Sequence, residues 1–96
     1  MLSSDLTRGV QTTEIINRVL KLPVEFVPGI REKNTGSWAG RVVTPEEWDS
    51  LGESFDNRKP PDGECITDVR LRARSFLNRL ESETGILLVV THGTFL

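Results

Sequence analysis

The chain has 96 residues, of which 36% are hydrophobic and 27% charged, an ordinary balance for one modest globular domain or part of one. Its formal net charge of -2 provides no basic surplus, so we expect no nucleic-acid partner. A single cysteine, Cys65, excludes an internal disulfide, and neither a bilayer-length apolar run nor a signal peptide is present, so the sequence predicts a cytoplasmic protein without a membrane partner.

The first half of the chain predicts a helix followed by a short strand. The helix extends from about Asp5 to Lys21, with Ser4 or Asp5 as its N-cap, because apolar side chains and one threonine recur there at helical spacing: Leu6, Val10, Thr13, Ile16 and Leu20. Gly9 weakens this helix, so we expect its small size to serve packing or the close approach of a ligand. Residues 24–27 predict a strand.

The second half predicts two helices and a strand. Thr44 and Glu47 have the spacing of a capping box at the start of a short helix. A long helix over about residues 64–83 carries one apolar stripe and an opposite charged face that we expect to be solvated. The stripe comprises Ile66, Val69, Ala73, Phe76, Leu77 and Leu80, and the charged face comprises Asp68, Arg70, Arg72, Arg74 and Arg79. Residues 86–90 are apolar without alternation, as in a strand covered on both faces.

Alternating helices and strands place the chain in the α/β class. Only two residues precede Ser3, which we consider too few for a strand, so the sequence predicts two strands. Two strands do not make a stable parallel sheet, and the chain ends four residues after His92, where a doubly wound fold would begin its next helix. We therefore expect the sequence to be an excerpt.

Three residues are candidates for chemistry. His92 follows the most strand-like run, at the strand end where open α/β sheets bind ligands, and Gly93 beside it leaves backbone amides free to face an anion. Arg8, in the first helical turn, could hold two phosphate oxygens, and Glu32, on a loop, could act as a general acid. Without further context, an ordinary polar position is the better explanation of each.

Cys65 is a fourth candidate, since a thiol at a helix start can become a nucleophile. A cysteine phosphatase would also need a glycine-rich phosphate loop followed by an arginine, which this sequence lacks. We therefore do not assign Cys65 a catalytic role.

Four segments, in order, resemble motifs of the histidine phosphatase superfamily, the phosphoglycerate mutase-like proteins of branch 1. Residues 3–12 (SSDLTRGVQT) are similar to S-D-L-x-R-A-x-Q-T, and residues 30–40 (IREKNTGSWAG) to L-x-E-x-x-x-G-x-W-E-G. Residues 61–65 (PDGEC) are similar to P-G-G-E-S, and residues 87–93 (LLVVTHG) to V-V-[ST]-H-G. The resemblance implies a three-layer α/β/α sandwich, incomplete at both ends, with residues 1–96 as the middle portion of one domain.

The resemblance also implies a chemistry. In this family a histidine of an early R-H-G motif attacks the phosphoryl group, two arginines and a second histidine hold its oxygens, and a glutamate protonates the leaving oxygen. Arg8 then corresponds to the second arginine, Glu32 to the acid and His92 to the second histidine, with Gly93 as a further phosphate contact. No metal and no cofactor are implied, because positive side chains neutralise the phosphoryl charge.

The sequence departs from the family pattern at several places. Gly9, Ala39 and Cys65 replace the usual alanine, glutamate and serine. The R-H-G motif is absent, and residues 91–93 (THG) do not substitute for it, because they lack the arginine and follow the other motifs. We expect the nucleophile, the first arginine and the first strand to lie upstream of Met1.

The resemblance implies a phosphomonoester phosphatase acting on a small phosphorylated metabolite, of which these 96 residues form a fragment that we expect to be inactive alone. A phosphoglycerate mutase is one alternative, although mutases generally carry a longer insertion between the positions of Glu32 and His92. A non-catalytic protein that binds a phosphorylated ligand or a partner subunit is the other. The sequence leaves the substrate and homodimer formation open; Thr35, Trp38 and Trp48 are candidate substrate contacts.

Overall fold

The computed structural model describes all 96 residues, which divide into two compact units: residues 1–32 with 72–96, and residues 33–71. The strands are β1 (Leu2–Ser3), β2 (Glu25–Phe26) and β3 (Val89–Val90), and the helices are α1 (Thr7–Leu20), α2 (Pro45–Asp49) and α3 (Ile66–Leu80). Three short 3-10 turns span Pro28–Ile30, Gly36–Trp38 and Phe55–Asn57. None of the helices combines the length and the apolar character needed to cross a bilayer.

The first unit contains a parallel sheet with strand order β2-β1-β3, which confirms the α/β class. The prediction of only two strands was wrong, because Leu2 and Ser3 form the central strand. Backbone bonds join β1 to both neighbours: the Leu2 amide donates to Leu88 O at 2.9 Å, and the Val27 amide donates to Ser3 O at 2.7 Å. Two residues are enough to form this central strand because β2 and β3 pair with it on its two sides.

Helix α1 begins later than predicted, and neither Ser4 nor Asp5 is its N-cap. Leu6 occupies that position without a side-chain cap, while Ser4 Oγ accepts a hydrogen bond from the Leu6 amide at 3.2 Å. Gly9 lies buried where α1 passes β1, and a Cβ on it would come within 3.2 Å of Ser4 Cβ and O. The prediction that Gly9 serves packing is confirmed.

Strand β3 is shorter than the predicted run of residues 86–90. The hydrogen bonds between β3 and β1 can extend only as far as β1 itself. The first of them is donated by the Leu2 amide to Leu88 O. Ile86 therefore has no strand beside it and is fully exposed, so the expectation that both faces of the whole run are covered was wrong.

The core of the first unit centres on Leu2, Ile30 and Phe76, with Val27, Leu80, Leu87, Val89 and Phe95 partly buried around them. The predicted stripe on α3 includes one error, since Leu77 is 61% exposed. Residues 66, 69, 73, 76 and 80 follow the helical repeat of three and four, and Leu77 lies about 100° around the helix from Phe76.

The second unit, residues 33–71, is built from turns and short helices. The predicted capping box is confirmed: Thr44 Oγ1 accepts from the Glu47 amide at 3.2 Å, and Glu47 Oε2 accepts from the Thr44 amide at 2.9 Å. These bonds and the Arg41 guanidinium hold the pKa of the Glu47 carboxyl below its usual value. The rings of Trp38 and Trp48 meet edge to face, with centroids 5.4 Å apart.

Cys65 is buried immediately before α3. The Asp68 carboxylate accepts hydrogen bonds there from the Cys65 amide at 3.0 Å and the Cys65 thiol at 3.3 Å. The same two bonds lower the pKa of Asp68. The Cys65 thiol is therefore part of the hydrogen bonding at the start of α3, and it is not exposed as a nucleophile.

The charged face of α3 is exposed to solvent at Arg70, Arg74 and Arg79, as predicted, and two of these arginines also have acidic partners. Within the second unit, Arg70 pairs with Asp56 at 2.6 Å. Within the first unit, Arg79 pairs with Glu25 at 2.7 Å, which lowers the pKa of the Glu25 carboxyl. Such exposed pairs contribute little stability individually.

Candidate functional site

The site begins at the carboxyl edge of the sheet in the first unit. Strands β1 and β3 are parallel and in register, so the residues that follow them emerge at the same edge. Ser4 comes directly after β1, and His92 follows β3 by two residues. The two side chains meet in the interior, with His92 Nε2 2.8 Å from Ser4 Oγ.

His92 is held by a short network of buried hydroxyl groups. Ser4 is fully buried, and its Oγ also accepts from the Leu6 amide, so its hydroxyl proton is available to His92 Nε2. One position earlier, Ser3 accepts a hydrogen bond from Thr13 Oγ1 at 2.7 Å, which ties β1 to α1. The Leu6 amide, at the N-cap of α1, thus holds the Ser4 hydroxyl that contacts the imidazole.

Glu32 reaches the same edge from the loop after β2. Thr91 Oγ1 donates to Ile30 O at 2.6 Å, which joins this loop to the turn after β3. Glu32 Oε2 accepts from the Thr94 amide at 3.0 Å, two residues beyond His92. The half-buried carboxylate therefore lies against the turn that carries the histidine.

Two arginines fix the part of the loop that precedes Glu32. Arg72 Nη1 donates to Gly29 O at 2.7 Å and to Arg31 O at 3.1 Å, so the expectation that Arg72 belongs to a solvated face was wrong. Arg31 forms a two-pronged pair with Asp5, with Nη2 2.6 Å from Oδ2. This pair lowers the pKa of Asp5 and raises that of Arg31.

Arg8 lies in the first turn of α1, as predicted, and is exposed. Burial is the main cause that lowers the pKa of His92, the positive charge of Arg8 lowers it further, and the negative charge of Glu32 opposes both. The structure therefore brings the three predicted residues into one electrostatic environment. Gly93 is exposed, and a Cβ there would meet no atom within 4 Å, so the space beside it is open.

The lowered pKa of His92 gives a pH-dependent stability. Because the folded-state pKa lies below the ordinary value of 6.5, the unfolded chain binds the proton more readily. The stabilisation that the neutral form of His92 gives the folded state is complete above pH 6.5, and it is lost as the pH falls through the folded-state pKa. We expect the free energy of unfolding to decline below about pH 6.5, with a smaller decline in His92→Gln, when urea unfolding is measured from pH 7.5 to 5.5. Parallel declines in both proteins would contradict this assignment.

Removal of the Ser4 hydroxyl should destabilise the first unit. In Ser4→Ala the Leu6 amide and His92 Nε2 both lose a partner, and buried polar groups left unpaired cost about 1–3 kcal/mol. Urea unfolding of this variant should show that loss. Ser82→Ala removes only an exposed bond to Arg79 O and should change stability by less than about 0.5 kcal/mol. Equal effects of the two substitutions would argue against a buried Ser4–His92 contact.

Local sequence patterns do not identify Ser4, Arg72 or the Asp5–Arg31 pair as parts of this edge. The S-D-L-x-R segment contained a signal for Ser4 and Asp5, since both precede Arg8 in the same motif. Nothing in the spacing of Arg72 indicated its two carbonyl acceptors. No group of three or more histidine, cysteine, aspartate and glutamate side chains is placed to hold a metal ion.

The residues that meet at this edge come from the segments with family resemblance. The sequence profile of the histidine phosphatase superfamily (branch 1) matches residues 1–96. The chain belongs to this superfamily.

Curated relatives and a solved structure agree with that assignment. The chain is 34% identical to the probable phosphoglycerate mutase GpmB of Yersinia pestis (strain Pestoides F) over 101 aligned positions, which cover 97% of this chain and 47% of the relative. The protein of the same name from Yersinia pseudotuberculosis (strain IP32953) matches to the same extent. The crystal structure of the alpha-ribazole phosphatase from Shigella flexneri superposes with a TM-score of 0.78 at 25% identity, over 97% of this chain and 50% of that one. The chain thus spans about half the length of these relatives.

Proposed function

We propose that the protein is a phosphomonoester phosphatase that works through a phosphohistidine intermediate, and that this chain supplies half of its phosphoryl site. The observation that carries the proposal is the convergence of Arg8, Glu32 and His92 at one edge of the sheet, although Arg8 and His92 lie near opposite ends of the sequence. Because one family profile matches residues 1–96 throughout, we assign both units to one catalytic domain.

In the proposed mechanism, Arg8 and His92 hold the oxygens of the phosphoryl group. The guanidinium of Arg8 offers a fork of N–H donors beside the amino end of α1, where an anion is favoured. In a neutral His92 whose Nε2 accepts a hydrogen bond from the Ser4 hydroxyl, the ring proton is on Nδ1. That N–H can donate to a phosphoryl oxygen. Burial favours this neutral form by lowering the pKa of His92.

Glu32 is the proposed general acid. A histidine outside these 96 residues attacks phosphorus, the bond from phosphorus to the ester oxygen breaks, and Glu32 passes a proton to that oxygen. Water then attacks the phosphohistidine and gives a proton back to the Glu32 carboxylate, so inorganic phosphate is released and the enzyme is restored. The bonds of Arg72 and the Thr94 amide keep this carboxylate and its loop in place.

A phosphoglycerate mutase is the second candidate, favoured by the names of the Yersinia relatives. It would use the same residues but return the phosphoryl group to a second hydroxyl of the substrate. The whole protein should release phosphate from p-nitrophenyl phosphate and sugar phosphates if it is a phosphatase. Interconversion of the phosphoglycerate isomers without net phosphate release would replace our proposal with the mutase.

The partner that we propose is a small phosphorylated metabolite, since two cationic or donor groups and one carboxylate suit a phosphate monoester. We also propose a cytoplasmic location, because a chain with one cysteine fits a reducing compartment.

A further inference from the structure

One side chain of α3 contacts two segments that meet at the proposed phosphoryl site. Arg72 Nη1 donates to Gly29 O at 2.7 Å and to Arg31 O at 3.1 Å, two carbonyls that follow β2. The Arg72 guanidinium carbon also lies 5.6 Å from the centroid of the Phe95 ring, in the turn after β3, which is within the range of a cation–π contact. This one guanidinium therefore joins the loop that carries Glu32 to the turn after β3.

The core of the first unit anchors the Phe95 ring. Phe95 meets Phe76 edge to face, with ring centroids 6.2 Å apart, and Phe76 is buried in that core. Phe76 lies four residues after Arg72 on α3, so one face of the helix presents both side chains to the same ring. The Leu96 amide donates to His92 O at 3.1 Å, which closes the turn around Phe95. Arg72 therefore lies against a ring that the core holds in place.

The guanidinium of Arg72 also sets the direction of the loop after β2. Thr91 Oγ1 donates to Ile30 O at 2.6 Å and fixes the loop at one point. The two carbonyls that accept from Arg72 belong to the residues on either side of Ile30, so the three bonds together hold the backbone in one orientation. From this orientation Glu32 Oε2 reaches the Thr94 amide at 3.0 Å.

We propose that Arg72 and Phe95 act as a positioning pair that holds the Glu32 carboxylate at the proposed phosphoryl site. This role rests on the proposed phosphatase function, in which Glu32 is the general acid. His92 has a separate attachment, because its Nε2 lies 2.8 Å from Ser4 Oγ at the end of β1. Loss of the pair therefore displaces the acid and leaves the histidine in place.

Arg72→Lys tests the position of the carboxylate in this 96-residue chain. Lysine keeps the positive charge but lacks the planar fork and the flat face of a guanidinium. The difference in Thr94 amide proton shift between the original chain and Glu32→Gln measures the effect of the carboxylate on that amide. Arg72→Lys should remove about half of this difference or more. Arg74→Lys, at an exposed position of the same helix, should remove less than about a tenth. An unchanged Thr94 shift in Arg72→Lys would overturn the proposal.

In the whole protein, the same substitution should act selectively on substrates that need an acid. In Arg72→Lys, kcat for an alkyl phosphate should fall about 10–100-fold, because a misplacement of about 1 Å can cost about 10²-fold. For p-nitrophenyl phosphate, whose leaving oxygen needs little protonation, kcat should fall less than about threefold. Arg74→Lys should stay within about twofold for both substrates. Equal losses for the two substrates in Arg72→Lys would show a merely structural role and contradict the positioning of the acid. If the original protein releases no phosphate from either substrate, the phosphatase function fails, whereas the Thr94 shift still decides whether Arg72 holds Glu32.

Phe95→Leu tests whether the ring and the guanidinium act together. Leucine keeps an apolar side chain but removes the ring face, so kcat for an alkyl phosphate should fall about threefold to tenfold, again with little effect on p-nitrophenyl phosphate. The double variant Arg72→Lys/Phe95→Leu should lie within about twofold of Arg72→Lys alone, because both substitutions break one contact. A dispersed amide spectrum of each variant serves as the control for folding. Losses that multiply in the double variant would mean that the two side chains act separately and would overturn the pair.

Discussion

Replacement of Gly36 by alanine is expected to unfold most of residues 33–71. Gly36 has φ +59°, and a Cβ there would lie 2.0 Å from Pro61 O and 2.5 Å from the carbonyl carbon of Asp62. Both are backbone atoms, so no side-chain rotation can make room. The turn would also lose the bond from the Ser37 amide to Pro61 O, now 2.9 Å. We expect a loss of about 4 kcal/mol or more in the free energy of unfolding.

Gly40→Ala is the matched control for this prediction. Gly40 also has positive φ, at +77°, but a Cβ there would meet nothing within 4 Å. Its cost should be confined to backbone strain of about 1–2 kcal/mol. Both tryptophans, Trp38 and Trp48, lie in residues 33–71, so their fluorescence during urea unfolding reports on this unit. Similar midpoints for the two variants would show that the close approach at Gly36 does not exist.

Glu32→Gln is expected to have the largest effect on activity, if the whole protein is the proposed phosphatase. Glutamine keeps the size of the side chain and an oxygen acceptor for the Thr94 amide but cannot donate the acid proton. General acid catalysis contributes about 10²–10⁴-fold to a rate, so kcat for an alkyl phosphate should fall within that range. The loss should be much smaller for p-nitrophenyl phosphate, whose leaving oxygen needs little protonation.

Glu46→Gln controls for the loss of a carboxylate elsewhere. Glu46 lies in the first turn of α2 and is exposed, so kcat for either substrate should stay within about twofold of the original value. A loss in Glu32→Gln that is the same for alkyl and p-nitrophenyl phosphates would remove the acid role. It would leave Glu32 as a residue that positions the turn of Thr94 and His92.

Local sequence patterns predicted the features that depend on nearby residues. The capping box of Thr44 and Glu47 involves positions three apart, and the apolar repeat of α3 is set by helical geometry. The prediction that Leu77 belongs to the apolar stripe was wrong, because an apolar residue can lie next to a buried stripe without being part of it. Hydrophobic type alone does not define the buried face.

Features that depend on contacts between distant residues could not be predicted from local sequence patterns. Strand β1 exists because β2 and β3 pair with it, and nothing in Leu2–Ser3 alone indicates a strand. The contact between Ser4 and His92 joins positions 88 apart, and the acceptors of Arg72 are 43 and 41 positions away. Their positions made Arg8, Glu32 and His92 candidates, and the resemblance to a family gave each a role. Their mutual placement required the fold.

The most direct test of the proposed phosphoryl site of Arg8, Glu32 and His92 is a titration of this chain with inorganic phosphate. The ring resonances of His92 are followed during the titration. His92 is the only histidine in the sequence, so its resonances need no further assignment. We predict a saturable shift that also appears at the Thr94 amide, with affinity reduced about tenfold in Arg8→Gln and unchanged in Arg18→Gln, which alters the last turn of the same helix. A His92 spectrum that does not respond to phosphate, or one that responds equally in both arginine variants, would contradict a phosphoryl site at this edge of the sheet.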